Sequence, residues 1–235
     1  MLNNYLNYLN FINEKLQMFF EKQKPYIFCR QGCSLCCKNA QYYYSNIEIQ
    51  YLSYGFNQLP EEKKEIILNN IKKLKKLQKA DSSSLLNCPS PTEDGQNCNN
   101  DPICGEKTAY NSPVKFIYEC PFLINNECSI YEYRGIICRA FGLMTAYKDG
   151  DVRIPFCAFD NLNYSNVIDI ESSKISPEKY KKSGIKEEPL AFNISYEYLT
   201  DNEFEQLFNF KFGEKKPLID WFGYNEKDEQ IKINF

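Results

Sequence analysis

Apolar side chains recur at helical spacing from the first residues of the chain. Leu2, Leu6, Leu9, Leu16 and Phe20 fall on one stripe, which predicts an amphipathic helix over Met1–Lys24 ending before Pro25. Ser45-Asn46-Ile47-Glu48 has the form of a capping box, so a second helix is expected from there towards Phe56. Pro60, at a first helical position, opens a third from Glu61 to about Lys79, with Ile67, Ile71, Leu74 and Leu77 as its buried stripe. The same segment carries Lys63, Lys64, Lys72, Lys73, Lys75, Lys76 and Lys79. A solvated outer face explains these lysines; contact with an acidic partner or a membrane surface is the alternative.

The pattern then breaks. Residues 81–113 are rich in Ser, Asn, Pro and Asp and read as an irregular excursion, with Cys88, Cys98 and Cys104 inside it. From Val114 the apolar runs are short: Val114–Tyr118, Cys128–Tyr131 and Ala140–Tyr147. Lys148-Asp149-Gly150-Asp151 is a hairpin signal leading into Val152–Phe156. Further on, Pro177–Lys182 suits a short helix, and Asp201–Phe210, capped by Thr200, suits another. Leu218–Phe222 holds the one Trp and is expected to dock on the core. With no internal repeat and no linker, the expectation is an α+β fold in a single small domain, 1–235. It has a helical N-terminal half, short β-strands and a cysteine-cluster core at about 25–160.

Composition narrows the chemistry. Hydrophobic residues make up 43% of the 235 and charged residues 25%, as in ordinary globular proteins. The net charge of −3 gives no basic field for nucleic acid. No stretch has the length and apolarity of a membrane span, and the N-terminus lacks a secretory pattern, so a cytoplasmic location is expected. Cysteine occurs 11 times and histidine not at all. The absence of histidine excludes Ser-His-Asp and Cys-His nucleophiles, His-Glu-x-x-His zinc sites and two-histidine iron sites. Any transition-metal site must be dominated by thiolate sulfur.

Two cysteine groups stand out. The first is Cys29-x3-Cys33-x2-Cys36-Cys37, four thiols in nine residues. A helix beginning after Gly32 would put Cys33, Cys36 and Cys37 on one face, with Cys29 folded back by the turn at Gly32. The second group reads Cys120-Pro121-Phe122-Leu123-x4-Cys128-x-Ile130-Tyr131-x2-Arg134-x3-Cys138-Arg139-x-Phe141, followed by Cys157. Together the two resemble the YkgJ-like cysteine-cluster family, named for a CxxCxxCC signature, described as zinc- or iron-chelating, and including the flagellin lysine N-methylases. The resemblance covers about residues 29–157. Two departures are the three-residue gap after Cys29 and Gly135, where many relatives have Pro; the glycine loosens the backbone before Cys138 but removes no ligand.

The candidate metal ligands are therefore Cys29, Cys33, Cys36, Cys37, Cys120, Cys128, Cys138 and Cys157. Eight thiols suffice for two four-thiolate sites, or for one cluster with thiols to spare. The adjacent Cys36 and Cys37 and the gaps of seven and nine residues favour an iron–sulfur cluster, of the 4Fe-4S type, over zinc. Arg30, Lys38 and Arg139 adjoin thiols and offset thiolate charge; Arg134 and Arg139, set among apolar residues, are expected to pair with a buried carboxylate or with backbone carbonyls. Tyr42, Tyr43 and Tyr44 are expected to cover the cluster. No glycine-rich phosphate loop follows a strand, and the radical-type spacing at Cys29, Cys33 and Cys36 lacks the βα units that accompany it. The expected function is metal binding with a redox or catalytic role. The alternatives are an S-adenosylmethionine-dependent lysine methyltransferase acting on a protein substrate, as the resemblance implies, and a zinc-stiffened interaction module.

Overall fold

The computed structural model describes residues 2–30, 32–39, 42–85, 117–147, 150–225 and 230–233, with side chains in the third helix described to residue 80. Residues 81–85, expected to be irregular, are helical, and the rest of the excursion with Cys88, Cys98 and Cys104, the run at Val114–Phe116, and Lys148 and Asp149 lie outside the described residues.

Helix α1 (Leu2–Lys22) buries Tyr5, Tyr8, Leu9, Ile12 and Leu16. Its inward stripe is thus rotated from the expected one, and Leu2, Leu6 and Phe20 only flank it. Tyrosine is the reason: its ring is apolar enough to fill a core, and the Tyr8 hydroxyl donates to the Leu199 carbonyl. Pro25 then sits in a 3-10 turn (Lys24–Tyr26) that ends the helical run. A short helix α2 (Leu35–Lys38) follows, with Ser34 at its N-cap position. Cys33 therefore precedes the helix instead of sharing a face with Cys36 and Cys37, because the turn at Gly32, φ 81°, delays the helical start.

Strand β1 (Tyr43–Ser45) leads directly into α3 (Asn46–Asn57) through the capping box, in which Glu48 Oε2 accepts the Ser45 N–H at 2.8 Å. Helix α4 (Glu61–Leu85) runs past the expected end at Lys79. It buries Ile67, Ile71 and Leu74, while Leu77 is 57% exposed, contrary to the stripe read from spacing. Lys63, Lys73, Lys76 and Lys79 are exposed on the outer face.

After the undescribed segment the chain makes small, mainly antiparallel units. Strands β2 (Leu123–Ile124) and β3 (Glu127–Cys128) form a hairpin around Asn125 and Asn126, both at positive φ. Helix α5 (Ile136–Ala140), not foreseen from the sequence, sits where an apolar run was expected to begin at Ala140. Strands β4 (Met144–Ala146) and β5 (Val152–Arg153) pair as the Gly150 signal requires, with Thr145 opposite Arg153. Strands β6 (Ile168–Asp169) and β7 (Lys174–Ile175) form a further hairpin, and α6 (Pro177–Ser183) matches the short helix expected there. Strand β8 (Ala191–Phe192) joins β4 in parallel. Helix α7 (Tyr196–Leu199) precedes α8 (Asn202–Phe208), which is capped by Asp201, not Thr200. Thr200 instead closes α7, its hydroxyl donating to the Tyr196 carbonyl at 2.7 Å.

Strand β9 (Lys215–Pro217) pairs with β1, so the far end of the chain fixes the segment just after the first cysteine group. Trp221 is fully buried beyond it and donates its indole N–H to the Tyr44 carbonyl at 3.0 Å, which docks the C-terminal segment as expected. Strands β10 (Phe222–Asn225) and β11 (Gln230–Ile233) complete this α+β fold. Cys120, Cys128 and Cys138 pack against a core built from α3, α4 and the Leu218–Phe222 segment.

A cysteine-lined cavity as the candidate metal centre

Between α1, α2, α5 and the β2–β3 hairpin lies a cavity of about 850 Å³. Seven of the eight candidate ligands line it: Cys29, Cys33, Cys36, Cys37, Cys120, Cys128 and Cys138. Cys157 does not. It lies buried in the 3-10 turn after β5 (Phe156–Asp160), where it is close enough to Cys29 for a charge there to oppose its own. The thiols ring the cavity: among the described residues no three cysteine or acidic side chains are held in a common chelating geometry.

Two hydrogen bonds join the cysteine groups, and a third braces the first of them. The Cys120 N–H donates to the Cys37 carbonyl at 2.7 Å. Ser34 Oγ donates to Asn126 Oδ1 at 3.1 Å, joining the start of α2 to the Asn-Asn turn of the hairpin that carries Cys128. Tyr42 gives its hydroxyl proton to the Cys36 carbonyl at 2.8 Å. Tyr42 and Tyr44 are indeed cavity walls, whereas Tyr43 is not.

Helix α5, which carries Cys138, is held from α3. Glu48, 1% exposed, accepts the Ile136 N–H on Oε1 at 2.8 Å. Its Oε2 accepts from Ser45 Oγ and from the Tyr196 hydroxyl, both at 2.7 Å. Arg139 on the same helix meets backbone carbonyls rather than a carboxylate: Nε donates to Arg134 O at 3.2 Å, and Nη2 to Glu132 O at 2.5 Å. Its Nη1 donates to Asn13 Oδ1 of α1 at 3.2 Å. Arg134 lies over the Tyr131 ring, 3.6 Å from its centroid, and donates to the Tyr131 carbonyl. Arg30 and Lys38 are exposed.

Cys29 has a partner that no local pattern announces. Asn163, fully buried, donates from Nδ2 to Cys29 Sγ at 3.2 Å and to the Gly142 carbonyl at 2.9 Å. Its Oδ1 accepts the Phe28 and Cys29 N–H groups at 2.8 and 3.1 Å. One side chain thus fixes the first cysteine against a loop distant in sequence.

Burial dominates the thiol electrostatics. It pushes Cys29, Cys120 and Cys128 up, and raises Cys138 and Cys157 to about 12. Cys36 is the exception: the neighbouring Cys37 thiol donates to it and holds it below the ordinary thiol value. Cys37 is raised correspondingly, by giving that bond and by burial. Arg134 also favours the thiolate of Cys36, Cys128 and Cys138. A bound cation would reverse the burial penalty at each sulfur that touched it.

Among the described residues no helix is long and apolar enough to cross a membrane. Comparisons with protein-family models, curated proteins and solved structures found no match to this chain.

Proposed function

We propose that this protein is a metal-thiolate protein whose centre, an iron–sulfur cluster in preference to zinc, is held in the cysteine-lined cavity. The observation that carries the reading is that seven thiols from two groups far apart in sequence wall one cavity. The donor chemistry fits a thiophilic centre, since the chain has no histidine and the walls add only Glu21 and Glu127 as carboxylates. Volume and number favour a cluster over one ion: zinc needs four ligands at about 2.3 Å, whereas the cavity is about 850 Å³ with seven thiols. The two-part resemblance to the YkgJ-like family, described as zinc- or iron-chelating, supports a metal centre of either kind.

When bound, an iron–sulfur cluster supplies one-electron redox or Lewis-acid chemistry. The chain's own residues would do the rest. Cys36, Cys128 and Cys138 are the ligands whose surplus charge the Arg134 guanidinium would offset, and Cys37 and Cys120 stand close enough to Cys36 to join the same ligand pool. Leu16, Phe20, Ile27, Phe122 and Phe141 provide apolar walls that limit water.

The test is metal and sulfide analysis of the full chain purified without oxygen, with its absorption spectrum. Iron and acid-labile sulfide in stoichiometric amount, with broad visible absorption lost in air, is the expected result. Colourless protein with stoichiometric zinc would keep the thiolate centre but remove the redox role. Protein that takes up neither metal overturns the reading.

A further inference from the structure

Tyr44 stands apart from the other tyrosines around the cavity. It is 2% exposed and sits in β1, with its carbonyl taken by the Trp221 indole and its strand paired to β9. Its hydroxyl reaches two groups on the Cys138 segment. The Gly135 N–H donates to the phenol oxygen at 3.2 Å, and the phenol lies 3.4 Å from Cys138 Sγ. Either atom of the second pair could donate while Cys138 is a thiol, but a metal-bound thiolate has no proton, so Tyr44 must then be the donor.

Gly135 makes this approach feasible. Its φ of −60° is accessible to any residue, so backbone freedom is not the reason for glycine here. Space is: a Cβ at Gly135 would come within 2.6 Å of the Tyr44 ring. Any side chain would push the phenol away, and proline would also remove the N–H that holds its oxygen.

From this geometry we propose that Tyr44 is a positioning residue of the thiolate centre, donating a buried hydrogen bond to the Cys138 sulfur and held on target by the Gly135 N–H. The proposal rests on the metal-thiolate reading above. A hydrogen bond to a ligating sulfur draws electron density from it, favours the reduced form of an iron–sulfur cluster and raises its potential. The effect is strengthened where the donor is buried, as Tyr44 is.

The experiment compares the full-length protein with Tyr44→Phe, which keeps the ring and removes only the hydroxyl. Both are reconstituted anaerobically with iron and sulfide, and the reduction potential is read by spectroelectrochemical titration, with iron content and thermal midpoint alongside. The expected result is an unchanged iron content with a potential shifted to more negative values. If the protein takes zinc instead, cobalt(II) is put in its place, and the sulfur-to-cobalt charge-transfer band should move to lower energy in Tyr44→Phe. Gly135→Ala, which displaces the phenol, should shift either readout in the same direction. A potential or band unchanged in Tyr44→Phe overturns the proposal while leaving the metal centre intact. Failure of the wild-type chain to bind any of these metals overturns the metal-thiolate reading itself, and this proposal with it.

Discussion

Glu48 illustrates how one side chain serves two levels of structure. As the fourth member of Ser45-Asn46-Ile47-Glu48 it closes the cap of α3, which is a local device. The same carboxyl, fully buried, also receives the Ile136 N–H and the Tyr196 hydroxyl, so it anchors the helix bearing Cys138. Burial raises its pKa, and the donors around it only partly compensate. The folded state then binds the proton more tightly than the unfolded one. Between the unfolded value, about 4.3, and the raised folded value, Glu48 makes stability fall as pH rises. Glu48→Gln should remove that slope while costing roughly 1–3 kcal/mol, because an amide nitrogen cannot accept the donors now facing the carboxyl. Urea denaturation of both proteins from pH 4 to 8 should show their stability gap narrowing as pH rises. A gap independent of pH would mean that Glu48 is no more costly to ionise when folded than when unfolded.

At the level of elements, α4 separates pattern from packing. Ile67, Ile71, Leu74 and Leu77 all fit a helical stripe, yet only the first three are buried and Leu77 is 57% exposed. The core under this helix, which includes Trp221 and Phe222, reaches Leu74 but leaves Leu77 outside. Ile71→Ala should cost about 2–5 kcal/mol by leaving a cavity, whereas Leu77→Gln should change stability by less than about 0.5 kcal/mol. Chemical denaturation midpoints distinguish the two, and a large loss for Leu77→Gln would reveal a partner covering that face. The β2–β3 hairpin shows the opposite case, a local signal overlooked. Asn125-Asn126 supplies two residues that tolerate positive φ, which a two-residue hairpin turn of this kind requires. Helix α5 had no such signal: five residues are too few to show a period.

For the molecule as a whole, the proposed metal centre would cross-link segments far apart in sequence whose cysteines are free thiols. Cys36 belongs to α2, Cys128 to β3 and Cys138 to α5, and one metal centre would tie all three. Ligand binding at about 1,000 times Kd stabilises a fold by about 4 kcal/mol, which for a protein of this size is roughly 10 °C in Tm. Cys36→Ser, Cys128→Ser and Cys138→Ser should each lose metal and melt lower by about that amount, measured by metal analysis and differential scanning calorimetry. Ser replacement of Cys88, Cys98 or Cys104, which lie outside the described residues, should leave most metal bound. Metal loss on Cys98→Ser or Cys104→Ser as complete as on Cys36→Ser would place the excursion among the ligands and refute this division.

Local patterns determined much of this protein. The three long helices, the α3 capping box and the β4–β5 pairing are all legible in the sequence, because each depends on neighbours within a few residues. The C-terminal docking of Trp221 was also foreshadowed, since a lone large apolar side chain gains most by burial. Only the tertiary structure decided which cysteines share a cavity and that Cys157 stands behind its wall. The buried hydrogen-bond partners of sulfur were equally hidden: Asn163 meets Cys29 across 134 positions and Tyr44 meets Cys138 across 94. The Gly135 departure, read as a looser backbone, proved to be room for a phenol. Contacts of this range are set by how packed elements meet, and no period or spacing along the chain encodes that meeting.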